Sequence, residues 1–146
     1  MLRPGLFAFA AASAFLGAAL YIDIVEQPAR LRLDSPSSIR EWTPSYRRGF
    51  IMLAVLSVVS AILAYVDFSR SGNVLWTIGG VLIVASWLYA YFVMAPVNIW
   101  LSSLPPNAPA ATVRELMVDW GLLEWGQSAI GFGAWLLYLA ALATPY

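Results

Sequence analysis

Glu124 stands in a run of 22 residues, Leu122 to Ala143, that carries no other charge. An isolated ionised carboxylate in hydrocarbon costs several kcal/mol, so such a group must pair, face a wet cavity or keep its proton. Trp120, Glu124, Gln127, Ser128 and Gly131 fall at offsets 0, 4, 7, 8 and 11, which on a helix is one polar-to-small stripe. Other polar residues sit where apolar runs begin or end. Asp23 and Glu26 are three apart and share a helical face. Tyr46, Arg47 and Arg48 precede one run, and Asn98 follows Pro96 at the end of another. In chemical terms Glu124 and Glu26 are candidate proton acceptors, with Arg48 placed to stabilise developing negative charge. Arg47, Tyr46, Asn98, Trp120, Gln127 and Asp23 are the candidate ligand-binding residues. A competing, purely structural reading pairs Glu124 with Arg47 or Arg48 inside the protein.

The composition narrows that chemistry further. The chain has no cysteine and no histidine, and all eight of its basic residues are arginine. Disulfides, thiolate nucleophiles, iron–sulfur clusters, histidine-ligated haem and Ser-His-Asp triads are excluded. No lysine remains for a Schiff base or a phosphate-binding loop. Asp23, Glu26, Asp119 and Glu124 supply oxygen ligands of the kind a hard cation takes, but no metal site is assigned. The sequence fixes no cofactor. With a formal net charge of zero, a nucleic-acid partner has no electrostatic support.

These residues need a scaffold, and its solvent is lipid. Hydrophobic residues make up 61% of the 146 and charged residues 11%, against roughly 45–50% and about 25% in soluble domains. Gly5–Ile22 and Gly49–Val66 are uncharged runs of 18 residues, and Val74–Val97 is one of 24. With Leu122–Ala143 they make four segments long enough to cross a hydrocarbon core of ~30 Å. Arg3 and the alanine-rich stretch after it also have the form of a secretory leader; the segment is read as a membrane helix.

The expected fold is an all-α integral membrane four-helix bundle in one domain, with spans at about 5–27, 44–68, 73–97 and 113–143. Pro28 should end the first helix near Gln27. Thr43-Pro44 should start the second, and Ser38–Glu41 has capping-box spacing for a short interfacial helix in the first loop. Asn73 should cap the third helix, and Thr112–Glu115 should open the fourth. Ala10, Ala14 and Ala18, with Ala129 and Gly133, have the spacing that brings membrane helices close, within the bundle or in a homo-oligomer. Trp42, Trp76, Trp100, Trp120 and Trp125 fall near interfaces as an aromatic belt. Trp87, Tyr89, Tyr91, Phe92, Trp135 and Tyr138 lie deeper or toward span ends.

Even-numbered topology brings the end of helix one, the start of two, the end of three and the start of four to one mouth. That end holds Arg30, Arg32, Arg40, Arg47, Arg48 and Arg114, and the other holds Arg3 and Arg70. The positive-inside rule places the mouth in the cytoplasm and both termini outside, as in a bacterial inner membrane.

Four stretches carry a family resemblance. Gly17-Ala-Ala-Leu-Tyr-Ile-Asp-Ile-Val-Glu-Gln-Pro-Ala-Arg30, Trp42-Thr-Pro-Ser-Tyr-Arg-Arg48, Ala95-Pro-Val-Asn98 and Arg114 to Gln127 resemble the anthrone-oxygenase-like family of small membrane proteins. The resemblance implies a four-helix bundle with a polar site at one end. It also implies, for some members, oxygenation of anthrones to anthraquinones. Where many members have a histidine and an arginine after the helix-four tryptophan, Glu124 and Gln127 stand. Two functions remain open on this reading. One is binding or oxygenation of a small apolar aromatic or quinone-like molecule, a hydrophobic ligand. The other is a non-catalytic membrane subunit or assembly partner, with lipid headgroups or a partner subunit docked on the arginines.

Overall fold

The computed structural model describes residues 3–144, and all regular structure among them is helical. Four helices are long and apolar enough to cross a membrane: α1 Pro4–Arg30, α2 Ser35–Ser71, α3 Val74–Ser103 and α4 Ala110–Ala143. Each packs on its neighbours in sequence, and α4 closes on α1. The result is a four-helix bundle whose outer face carries exposed apolar side chains such as Phe50, Ile62, Val81, Leu88 and Phe132, as lipid demands.

Several helix boundaries differ from those the sequence suggests. α1 does not stop before Pro28 but runs on to Arg30, because Ile22–Glu26 forms a π-turn. Proline lacks an N–H and its ring crowds the carbonyl four residues back; a preceding turn with the wider i→i+5 spacing leaves room for it. α3 solves the same problem in the same way, with a π-turn at Ala90–Met94 just before Pro96. Ser38–Glu41 is not a separate interfacial helix. It belongs to α2, which starts behind the N-cap Asp34 and carries Pro44 in its interior. Hydrogen bonds from Ser37 hold the Asp34 carboxyl below the usual carboxylate range. α4 begins at Ala110 behind Pro109 with no side-chain cap, two residues before Thr112.

Asn73 does cap α3, its side chain accepting from the Leu75 N–H at 3.1 Å. The turn before it depends on Gly72, whose φ of 68° is left-handed. A Cβ there meets no neighbour, so Gly72→Ala carries the backbone term alone. Its expected cost is about 1 kcal/mol of stability, read from unfolding in mixed micelles.

Two apolar clusters fill the bundle. The terminal half packs Ala8, Ala12, Phe15, Trp76, Ile83 and Tyr138. The half at the mouth packs Trp42, Met94, Leu101, Val113, Met117 and Trp120. Trp42, Trp76 and Trp120 are thus interior residues, not members of an interfacial belt. The close approach of α1 to its neighbours uses Ala8, Ala12 and Ala19, while Ala10, Ala14 and Ala129 of the small-residue stripes face outward. Between the two clusters lies a belt of buried polar side chains: Asp23, Gln27, Ser86, Glu124, Gln127 and Ser128.

Candidate functional site

Arg30 joins one end of the belt, at Gln27, to the charged residues of the mouth. Its guanidinium is 1% exposed and bonds Glu26 at 2.5 Å and the Gln27 side-chain oxygen at 2.7 Å. It also pairs with Glu41 across the first loop and lies 5.1 Å from the ring centre of Trp120. Only Arg presents donors in a planar fork that serves several acceptors at once while stacking on an indole. The four-residue offset from Glu26 to Arg30 makes their pairing natural on one helix.

Each partner is itself held. Glu26 also accepts from the Ser45 hydroxyl. Gln27 donates to the Met117 carbonyl at 2.6 Å, tying α1 to α4. That contact requires Gly121, where an added Cβ would come within 2.6 Å of the Gln27 amide nitrogen and 2.9 Å of its Cδ. Gly121→Ala should therefore displace Gln27 and lower stability by about 1–3 kcal/mol, seen as a drop in the thermal midpoint in detergent. An unchanged midpoint would mean that α1 and α4 separate freely at this level.

The aromatic groups form a second tier. Trp42 stacks on Tyr46 with ring centres 4.7 Å apart and meets Trp120 edge-on at 6.2 Å. The Trp120 indole donates to the Asn98 side-chain oxygen at 2.9 Å. Tyr89 is anchored by its hydroxyl to the Leu123 carbonyl at 2.6 Å.

Behind α2, these tiers border a partly open cavity of about 40 Å³. Its polar wall is Glu26, Tyr46, Asn98, Trp120, Glu124 and Gln127; its apolar wall includes Phe50, Leu53, Ala90 and Met94. Glu124 is 5% exposed, yet makes no ion pair or hydrogen bond with any described residue. Gln127, equally buried, uses its amide N–H toward the Ser86 carbonyl at 3.4 Å, while its side-chain oxygen has no hydrogen-bond partner. Asp23 lies just behind, accepting from Ser128 at 2.5 Å, with its second oxygen unsatisfied.

Of the residues singled out from sequence, six line this cavity: Glu124, Glu26, Tyr46, Asn98, Trp120 and Gln127. Asp23 is buried beside it. The two arginines are elsewhere. Arg47 and Arg48 are exposed, and Arg48 borders an outer groove between α1 and α2 with Glu41 and Ser45. The pairing of Glu124 with Arg47 or Arg48 does not occur. Arg30, which the sequence marked for orientation and as the last residue of the first family-like stretch, is the arginine that turns inward. Asp119 is exposed, and the described residues contain no group of three or more side chains able to hold a metal ion. Tyr138 belongs to the terminal core and Trp135 bonds Ser13 at 3.0 Å, so neither lines the cavity.

The cavity wall is largely apolar and presents the Glu124 carboxylate and the Gln127 side-chain oxygen without hydrogen-bond partners among the described residues. A family model described as anthrone oxygenase matches residues 42–137, a stretch holding every cavity residue of α2, α3 and α4 and omitting those of α1. No curated protein and no solved structure is significantly similar to the chain.

Proposed function

The chain belongs to the anthrone oxygenase family, and on that premise we propose that its cavity binds a small apolar aromatic with an acidic C–H or O–H and directs its oxidation by dioxygen. The observation that carries this reading is Glu124, a carboxylate buried to 95% by its 5% exposure and left without a partner at a cavity wall. A structural carboxylate at that depth would be paired. Here the missing partner is the substrate.

For an anthrone the step balances without a cofactor. Glu124 takes one proton from the ring methylene, leaving an enolate. The enolate gives its electrons to dioxygen and forms a C–O bond. The resulting peroxide recovers the proton from Glu124, and loss of water leaves a carbonyl. One oxygen atom ends in the quinone and the other in water. Negative charge gathers on the substrate oxygen, where the Asn98 amide N–H group offers a donor, its own oxygen being engaged by Trp120. Glu26, held by Arg30 and Ser45, serves in positioning more than in proton transfer. Arg48 lies outside the cavity, so in this proposal it meets lipid headgroups or water. The arginine excess at the mouth, even without Arg30, supports a cytoplasmic site with both termini outside.

The test is purified protein in vesicles with anthrone and dioxygen, following quinone formation and oxygen consumption in equal amounts. Turnover above the uncatalysed rate supports the proposal. Its absence, together with a membrane protein that co-purifies in fixed ratio, would favour the non-catalytic subunit, for which the exposed arginines at the mouth provide the docking surface.

A further inference from the structure

The cavity shares wall residues with two outer grooves. Between α1 and α2 the groove mixes charged Glu26, Glu41 and Arg48 with apolar Ala18, Ile22 and Met52. Between α2 and α3 the wall is apolar, and Tyr46, Phe50, Ala90 and Asn98 belong both to the cavity and to this second groove. That groove does not end there. At Trp87 and Leu88 it adjoins a third groove, lined by Val84, Val81, Gly80 and Thr77. From Asn98 to Gly80 the trench follows α3 for about 27 Å, nearly the thickness of the hydrocarbon core.

Its walls are built to be featureless to a hydrocarbon. The Trp87 indole N–H is taken up by Ser57 at 2.9 Å, so the ring turns carbon toward the groove. Small residues, Gly80, Ala85 and Ala90 on α3 with Ala61 on α2, form part of the lining. The π-turn at Ala90–Met94 lies where the trench meets the cavity. The cavity itself is too narrow as it stands for more than a few waters, so a ligand larger than one ring must extend out of it.

We propose that the physiological ligand is an amphiphile. Its hydroxyl-bearing aromatic ring enters sideways from the bilayer between Tyr46, Phe50 and Ala90, and its linear acyl or isoprenoid tail lies in the α2–α3 trench. This rests on the reading of the cavity as a site for an aromatic donor, and it replaces a compact substrate by a tailed one. Lipid is as apolar as the trench, so the tail adds little affinity. It acts by keeping the ligand in the membrane and fixing the angle at which the ring arrives. The test must therefore report position, not tightness.

The chain has no cysteine, so single-cysteine variants give a clean ruler. Leu88→Cys reports the trench near the cavity, Val81→Cys its far part and Phe132→Cys the lipid face of α4; all three native side chains are exposed. Each variant, in phosphatidylcholine vesicles, is labelled with pyrenylmaleimide in the presence of resorcinol, octylresorcinol or hexadecylresorcinol. Binding is read separately from the Trp120-dependent part of the indole emission. The expected result is length-dependent protection. Resorcinol spares no site, and the octyl compound slows labelling at Leu88→Cys alone. The hexadecyl compound slows it at Leu88→Cys and Val81→Cys by about ten-fold at ten times its Kd, and never at Phe132→Cys. If the tailed compounds bind but protect neither trench position, the tail lies elsewhere and the proposal falls while the aromatic-donor site stands. If none of the three resorcinols binds, both fail together.

Discussion

Replacing Arg30 with leucine should destabilise the bundle by about 3–5 kcal/mol, the effect of breaking a buried ion pair from one side. Arg30 is the shared donor of Glu26, Gln27 and Glu41, and its removal strands acceptors on both α1 and α2. Glu26 is left with the Ser45 hydroxyl. Glu41 is more exposed, so its loss is softened by water. Arg30→Lys should recover only part of the loss, because an ammonium can neither serve these acceptors in a planar fork nor stack on Trp120. Arg48→Leu, at an exposed position, should move stability by less than about 0.5 kcal/mol. Detergent-titrated unfolding of the three variants measures all of this. A loss below about 1 kcal/mol for Arg30→Leu would show a solvated pair, not a buried hub.

Glu124→Gln should have the opposite profile. The amide has the same shape, so the cavity persists, but it cannot take a proton, and turnover should fall by about 10²–10⁴-fold. Stability should hold or rise, since an unpartnered acid at 5% exposure is replaced by a neutral group that is cheaper to bury. Loss of rate with gain of stability is the signature of a residue kept for function. Glu26→Gln should reverse it, losing stability through Arg30 and little of the rate. Unchanged turnover in Glu124→Gln would remove the proton-transfer role and leave Glu124 as a packing residue.

The convergence at the mouth was legible because it follows from chain order alone: any four-helix up-and-down bundle brings Glu26, Tyr46, Asn98, Trp120, Glu124 and Gln127 to one end. The stripe from Trp120 to Gly131 also faces inward as its spacing implies, with Trp120, Glu124, Gln127, Ser128 and Gly131 all buried. Which arginine turns inward was not legible. Arg30, Arg47 and Arg48 all flank apolar runs at the same end of the bundle, and the choice depends on helix rotation, which the π-turn at Ile22–Glu26 resets by a fraction of a turn. The π-turns themselves left one trace, a proline two residues beyond each, and that trace reads equally well as a helix end. Pro44 shows the reverse case: an interior proline tolerated on an exposed side of α2, where water can serve the freed carbonyl. The buried state of Trp42 and Trp76 was hidden because indole at a membrane boundary and indole in a core look the same in sequence.

The polar belt also separates the two apolar clusters. Among the described residues, Ile22, the first of the π-turn, is the side chain packed against both. Substitutions confined to the terminal half should therefore add independently of those around the cavity. That half can thin or tilt to match bilayers of different thickness without displacing the carboxylate wall at Glu124.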